Sequence, residues 1–348
     1  MYITDLKAIS PQKSYSNELL NGDIEVITNI FYLALEPNYL EFIPKGLLRR
    51  MGKAVRMGIG VGKPLIDSHN DIDGILIGTA NGGIDDCFKF LQQIIEFNEG
   101  RLTPTNFVQS TPNAIAGQLA LMNSNHGYNS TYTNSGHSFE NALVDAILLF
   151  EEGNSSKLLV GALDECSEDN YAIDKLTGKY KIEEITNNEL ISSKTTGTIC
   201  GEGAALFVLE KNSKDYLARI IDVGQITCPS EENLLDLLYN FLKKNRIEAS
   251  NIDSLMLGYD GDTRHNKWYE LVDSYFQKKC TIFSFKNLCG EYRTCSSFAL
   301  WLSAHILKGN TTDLSEIEIR KTTNSTNRFI LIYNHFDEVN HNFILVSK

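Results

Sequence analysis

Asp71–Gly83 reads DIDGILIGTANGG, and Asn251–Asp262 reads NIDSLMLGYDGD. Each opens on Ile-Asp, runs through a short wholly apolar stretch, and closes on a Gly and a polar Gly-containing turn. A strand buried on both faces and ending at a functional rim has this pattern. Its recurrence predicts an internal duplication. Around the first copy, helical patterns cover Cys87–Glu96, Asn113–Asn123 and Phe139–Glu151, and strand patterns cover Lys157–Glu165 and Ala204–Glu210. The second part continues with strand Arg219–Thr227, amphipathic helix Glu232–Asn245, the strand at Ser254, a helix through Phe298–Lys308, and closing strands RFILIYNHF and NFILVSK. Such alternation predicts a layered α/β architecture. No Gly/Ser-rich or Pro-rich linker divides the chain, and Cys166–Cys200, rich in Lys, Thr, Asn and Glu, reads as a surface excursion.

With 348 residues, 42% hydrophobic, the chain can bury a substantial core. The net charge of −12 would repel a polyanion, which argues against nucleic acid or an anionic membrane as the main partner. An acidic carrier protein would need a local basic patch. Arg49, Arg50, Lys53 and Arg56, in GLLRRMGKAVRMG, form the densest basic cluster and fall on a predicted helix. The opening MYITDLKAIS carries an early acid and no long apolar run, so a cytoplasmic protein without a membrane span is expected. Seven scattered cysteines show no zinc or redox spacing, and buried reduced thiols are expected. No cluster has metal-ligand spacing, and no cofactor is expected.

From Asn113 the order PNAIAGQLALMNSNHGYNSTYTNSGHSFENALVDAILLFEEG, KLLVGALDE and GEGAALFVLE resembles the N-terminal half of β-ketoacyl synthases of the thiolase superfamily. GEGAA, Gly201–Ala205, is the most family-specific piece, and the resemblance continues, eroded, through a shortened second half. RRM, GTANGG and PTNFVQST look like the divergent branch found in aryl-polyene and flexirubin pigment pathways. The resemblance implies a thiolase fold, a five-layered α/β/α/β/α sandwich of two pseudo-repeated halves, 1–215 and 216–348, in one compact unit. It also implies dimerisation through the strand at about Asn129–Thr133, and weak tunnel-lining candidates in Phe107 and Met122.

A working synthase of this family needs a cysteine at a helix N-terminus and two histidines that stabilise the enolate left by decarboxylation of malonyl thioester. Here the T-A-C nucleophile becomes Thr133-Asn134-Ser135, and a serine hydroxyl reacts only when a base takes its proton. His137 is two residues away, a spacing that points to a different helix face. The first histidine, of H-G-T-x-T, aligns with Asp260, and the second, of K-S-x-x-G-H, with Glu291, while Lys286 is retained. A malonyl carboxylate about 4 Å from such an acid, at an effective dielectric near 20, is repelled by roughly 4 kcal/mol. Losing one oxyanion donor costs about 3–4 kcal/mol more.

Asp260 and Glu291 could instead share a proton as an acid/base pair, or Lys286 could neutralise Glu291 as a structural ion pair. His265 and His126 read as loop or cap residues. The glycine-rich gate loop is replaced by Asn334–Asn342, containing Phe336 and Glu338, so its tight backbone is not expected to be reproduced. The expected function is a non-condensing, chain-length-factor-like subunit. It would form a heterodimer with an active ketosynthase, receive chains from acyl carrier protein, and limit their growth sterically. The rivals are an acyltransferase or ketoacyl synthase using Ser135, and a homodimeric scaffold that binds an acyl chain or carrier protein.

Overall fold

In the computed structural model, which describes residues 1–322 and 327–348, both Ile-Asp motifs lead into fully buried strands. The strands are β1 (Tyr2–Ile9), β2 (Phe31–Tyr32), β3 (Gly74–Gly78), β4 (Tyr128–Tyr132), β5 (Lys157–Asp164), β6 (Cys200–Gly201) and β7 (Gly203–Glu210). They continue as β8 (Ala218–Thr227), β9 (Ser254–Leu257), β10 (Thr281–Ser284), β11 (Glu318–Arg320), β12 (Phe329–Phe336) and β13 (Asn340–Ser347). The helices are α1 (Lys45–Leu48), α2 (Lys53–Ser68), α3 (Ile84–Glu96), α4 (Pro104–Gln109), α5 (Ala114–Met122) and α6 (Ser138–Glu152). After them come α7 (Glu168–Leu176), α8 (Asn187–Leu190), α9 (Glu231–Lys244), α10 (Asn266–Tyr275), α11 (Lys286–Cys289) and α12 (Ser296–Lys308).

Strand order exposes the duplication. The first half runs β4-β3-β5-β7-β1 and the second β10-β9-β12-β13-β8. In each, the motif strand is flanked by two parallel neighbours, β4 and β5 around β3, β10 and β12 around β9. The halves meet edge to edge where β1 pairs with β8 at Tyr2↔Arg219 and Ile3↔Ala218.

Side-chain alternation then assigns the layers, because successive residues of a strand face opposite sides. Ile75 and Ile77 of β3 join α2 and α5 in an outer cluster, whereas Leu76 faces inward with Phe139 and Leu143 of α6. Ile330 and Ile332 of β12 face that same interior beside Phe298 and Trp301 of α12, while Leu331 and Tyr333 pack outward against α9 and α10. The result is the expected five-layered α/β/α/β/α sandwich, with α6 and α12 as the middle layer. No described helix is long and apolar enough to cross a membrane.

One expectation is corrected. The 166–200 excursion contains α7, started by Ser167 accepting from Asn170 N–H, and α8, started by a Thr186–Glu189 capping box. The edges of the sheet differ: β11 covers β10, whereas β4 has no strand on its outer side among the described residues.

The middle layer holds one uncompensated acid. Glu140 of α6 is fully buried, and both its carboxyl oxygens lack a hydrogen-bond partner among the described residues. Burial pushes its pKa up to about 7. An acid with a raised folded pKa binds its proton more tightly folded than unfolded, so stability is lost as pH rises from the usual carboxylate range toward that value. A Glu140→Gln variant should therefore gain on the wild type by about 3 kcal/mol between pH 4.5 and pH 8. Urea unfolding at both pH values checks this.

Candidate degenerate active site

At the end of β4 the chain turns sharply into α6, and Ser135 occupies the turn with a left-handed φ of 48°. Such a conformation costs a non-glycine residue about 1–3 kcal/mol and persists only where neighbours impose it. Here Ser138 Oγ accepts from Asn134 N–H and donates to the Ser135 carbonyl, both at 2.8 Å. Gly136 N–H donates to Asn340 Oδ1 at 3.2 Å, and Asn342 Nδ2 donates back to the Gly136 carbonyl at 2.6 Å. A Cβ on Gly136 would lie 2.6 Å from Phe336 Cβ, so only glycine lets the elbow lie this close to β12 and β13. The elbow presents a hydroxyl, that of Ser135, at the entrance to α6.

His137 is not its base. Nδ1 lies 2.6 Å from Asn342 Oδ1 and Nε2 lies 3.1 Å from Thr227 Oγ1, so both ring nitrogens are engaged by the second half. Burial lowers its pKa, although the Asn342 hydrogen bond works the other way.

Asp260, fully buried, points Oδ2 at His265 Nδ1, 2.6 Å away, and its Oδ1 accepts from Asp262 N–H at 3.0 Å. Burial alone would raise this carboxyl, but the His265 hydrogen bond and nearby positive charge hold it well below the usual carboxylate range. The same pairing raises His265 against its own burial. His265 does flank the start of α10, as expected of a cap, yet it also neutralises Asp260. The bare like-charge barrier read from the sequence is thereby corrected, because Asp260 has its own internal cation.

Glu291 has one too. Lys286 Nζ lies 2.5 Å from Glu291 Oε2 and 3.3 Å from the His335 carbonyl, with both side chains buried. Burial pushes the Glu291 carboxyl up to about 7, the Lys286 charge opposing it, while Lys286 is held protonated by Glu291 despite its burial. With separate cations for Asp260 and Glu291, the structure does not form the shared-proton carboxylate pair. The backbone crossing here explains the GEGAA glycine: a Cβ on Gly201 would stand 2.0 Å from the Cys289 carbonyl. Glu291 N–H donates to the Ile199 carbonyl at 2.8 Å, and Gly201 N–H donates to that of Glu291 at 3.0 Å.

The gate segment differs from expectation. Asp337 and Glu338 are both left-handed, at φ 51° and 57°, and Val339 N–H donates to the Phe336 carbonyl at 3.0 Å. Without glycine the turn is still tight, because ion pairs brace it: Lys179 to Asp337 at 3.0 Å and Lys267 to Glu338 at 2.6 Å. Trp268 Nε1 adds a donation to Glu338 at 2.7 Å. Phe336 is buried against the elbow, its ring between Lys179 Nζ at 3.8 Å and the Arg293 guanidinium at 4.9 Å.

Sequence reasoning missed three groups. His335 is fully buried, stacked on Tyr269 at 4.8 Å and edge-on to His265 at 5.0 Å, with burial driving its pKa far down. Asp164 accepts from Thr79 Oγ1, Ala80 N–H, Asn81 N–H and both the backbone and hydroxyl of Thr294, tying the rims of the two halves together. Glu202, the acid of GEGAA, accepts from Ala34 N–H and Cys166 N–H, both at 2.8 Å, and pairs with Lys53 at 2.5 Å. The polar residue ending the apolar run of KLLVGALDE was the available signal for Asp164.

Peripheral candidates are rearranged. Lys53 pairs with Glu202, and Arg56 makes a bidentate pair with Glu36 at 2.6 and 2.7 Å, so two of the four cations are offset by acids. Arg49 and Arg50 are exposed, and with Lys53, Arg56, Lys89, Asp85 and Asp86 they line one depression of mixed charge. Phe107 is 56% exposed against Phe90, whereas Met122 packs on the outer α2 cluster; Phe107 can line a tunnel only by facing a partner. His126 is exposed on the loop before β4.

Among known proteins, the family model described as the β-ketoacyl synthase N-terminal domain matches residues 31–178. A search of curated protein sequences finds no match to the chain. Of solved structures, "the ishigamide ketosynthase/chain length factor" superposes with a TM-score of 0.83 at 14% identity, covering 100% of this chain and 98% of that one. A β-ketoacyl synthase from Burkholderia phymatum STM815 gives 0.81 at 17% identity, covering 100% and 99%. The ketosynthase ApeO in complex with its chain length factor ApeC from Xenorhabdus doucetiae gives 0.75 at 15%, covering 99% and 97%. The chain has the ketosynthase-like thiolase fold.

Proposed function

We propose that this protein is the non-condensing, chain-length-factor-like member of a ketosynthase pair, acting in polyketide or fatty-acid-like polyene assembly, with the aryl-polyene type as the narrower reading. One observation carries it: the elbow is a tight left-handed turn into α6, while each acid aligned with a histidine is paired with an internal cation, Asp260 with His265 and Glu291 with Lys286. That arrangement keeps a fold and an interface but leaves no thiol at the elbow, and no histidine at either aligned position, to stabilise an enolate.

The partner would be an active synthase of the same fold. The open β4 edge offers unpaired backbone groups, and exposed apolar side chains sit on elements around it: Tyr128 on β4, Leu121 on α5 and Leu148 on α6. An exposed strand edge with apolar flanks is a template for pairing with another chain. In this reading Phe107 borders the partner's acyl tunnel, Arg49, Arg50 and Lys89 meet acyl carrier protein, and the pair works in the cytoplasm. Co-expression with a neighbouring synthase that carries the full Cys-His-His set tests it by size-exclusion chromatography. A mixed dimer is expected; a stable homodimer formed by this chain alone, with no mixed species, would favour the scaffold reading instead.

A further inference from the structure

Cys166 and Cys200 lie outside the site just described, with their Sγ atoms 2.7 Å apart across 34 residues of chain. Each is held from a different direction. Cys200 belongs to β6, paired with Phe31 of β2 and bridged to Glu291. Cys166 follows the end of β5, and its N–H donates to Glu202, two residues beyond Cys200, at 2.8 Å. Both backbones are thus fixed in one frame. Stacked Tyr171 and Tyr180, centroids 4.7 Å apart, pack with Phe31 over the two sulfurs. The accessibilities are unequal: Cys200 is buried, while Cys166 lines a cleft of about 390 Å³ with Lys53, Lys89, Asp85 and Glu168.

We propose that Cys166 and Cys200 are a reversible thiol/disulfide pair, oxidised by a peroxide that reaches Cys166 first. The Cys166 sulfur attacks one oxygen of hydrogen peroxide, the O–O bond breaks, and one water leaves as Cys166 becomes a sulfenic acid. The Cys200 sulfur then attacks Cys166 sulfur and expels the second oxygen as water, so two thiols and one peroxide give one disulfide and two waters. A dithiol reductant reverses the change by exchange. The neighbouring thiol and burial both keep the Cys166 thiol protonated, so oxidation is slow at neutral pH and faster in alkaline buffer. The bond would staple the segment leading into α7 onto β6, next to the backbone bridge that holds Glu291.

The pair is independent of the partner assignment and is tested without it. The full chain carrying Cys228→Ser, which removes an exposed thiol able to link two copies, is treated with hydrogen peroxide and measured by intact mass and peptide mapping. A loss of two hydrogen masses is expected, with a 166–200 cross-linked peptide, a higher unfolding midpoint, and full reversal by dithiothreitol. Adding Cys166→Ser or Cys200→Ser should abolish the change. The mapping is made on otherwise native chain, so it stands even if a second substitution perturbs folding. Unaltered mass, a cross-link between other cysteines, or a gain of oxygen at Cys166 without loss of hydrogen would overturn the proposal.

Discussion

Replacing Lys286 with methionine is expected to lower folding stability by about 3–5 kcal/mol near neutral pH, the range for breaking a buried ion pair from one side. Lys286 and Glu291 are both buried and 2.5 Å apart, so the variant leaves a carboxyl in the interior without its cation. Glu291 must then either stay charged there or take up a proton. Its carboxyl is already pushed up to about 7 by burial, and losing Lys286 raises it further. A raised acid costs stability as pH climbs through its folded value, so the penalty should deepen between pH 5 and pH 8. Replacing both residues by methionine should recover most of the loss, because an apolar pair of similar volume needs no compensation. Urea unfolding of the four proteins gives the coupling; additive effects would mean that the two side chains do not act as a unit.

The second large effect is expected at β4. Tyr128 N–H donates to the Asp73 carbonyl and the Tyr132 carbonyl accepts from Thr79 N–H, so even-numbered residues of β4 face β3. By the alternation of a strand, Thr131 directs its N–H outward, where another chain would pair. Thr131→Pro removes that donor without touching the β3 ladder, and proline is tolerated on an edge. The mixed dimer should weaken by roughly 10-fold or more, the equivalent of about 1.4 kcal/mol, while the isolated chain keeps its unfolding midpoint within a few degrees. Size-exclusion of the co-expressed pair, with thermal unfolding of the isolated chain, reads both.

Much of the architecture was legible because burial leaves period-specific marks. The two Ile-Asp motifs identified strands with parallel neighbours, and the helical pattern at 113–123 and the amphipathic run at 232–245 became outer-layer helices. β1 left no such mark: Asp5 and Lys7 interrupt the apolar pattern of the strand that joins the halves. α7 was hidden by a composition that suits loops as well as exposed helices, although Ser167 with Glu168 and Asp169 is a helix-start signal.

The site was legible by position, and of its pairings only that of Lys286 with Glu291 was. Ser135, Lys286, Asp260 and Glu291 could be aligned to motifs one at a time, but the His265 contact to Asp260 depends on the turn before α10, and His335 on stacking against Tyr269. The ion-pair partners of the basic cluster were hidden for the same reason. Glu36 and Glu202, which take up Arg56 and Lys53, are far from them in sequence.

Purified protein alone, incubated with malonyl carrier-protein thioester and an acyl donor, tests the central claim most directly, read by carbon dioxide release and by mass at Ser135. No turnover above buffer and no acyl adduct are expected, with Ser135→Ala indistinguishable from the native chain. Decarboxylation or condensation by the native chain that disappears in Ser135→Ala would contradict that claim.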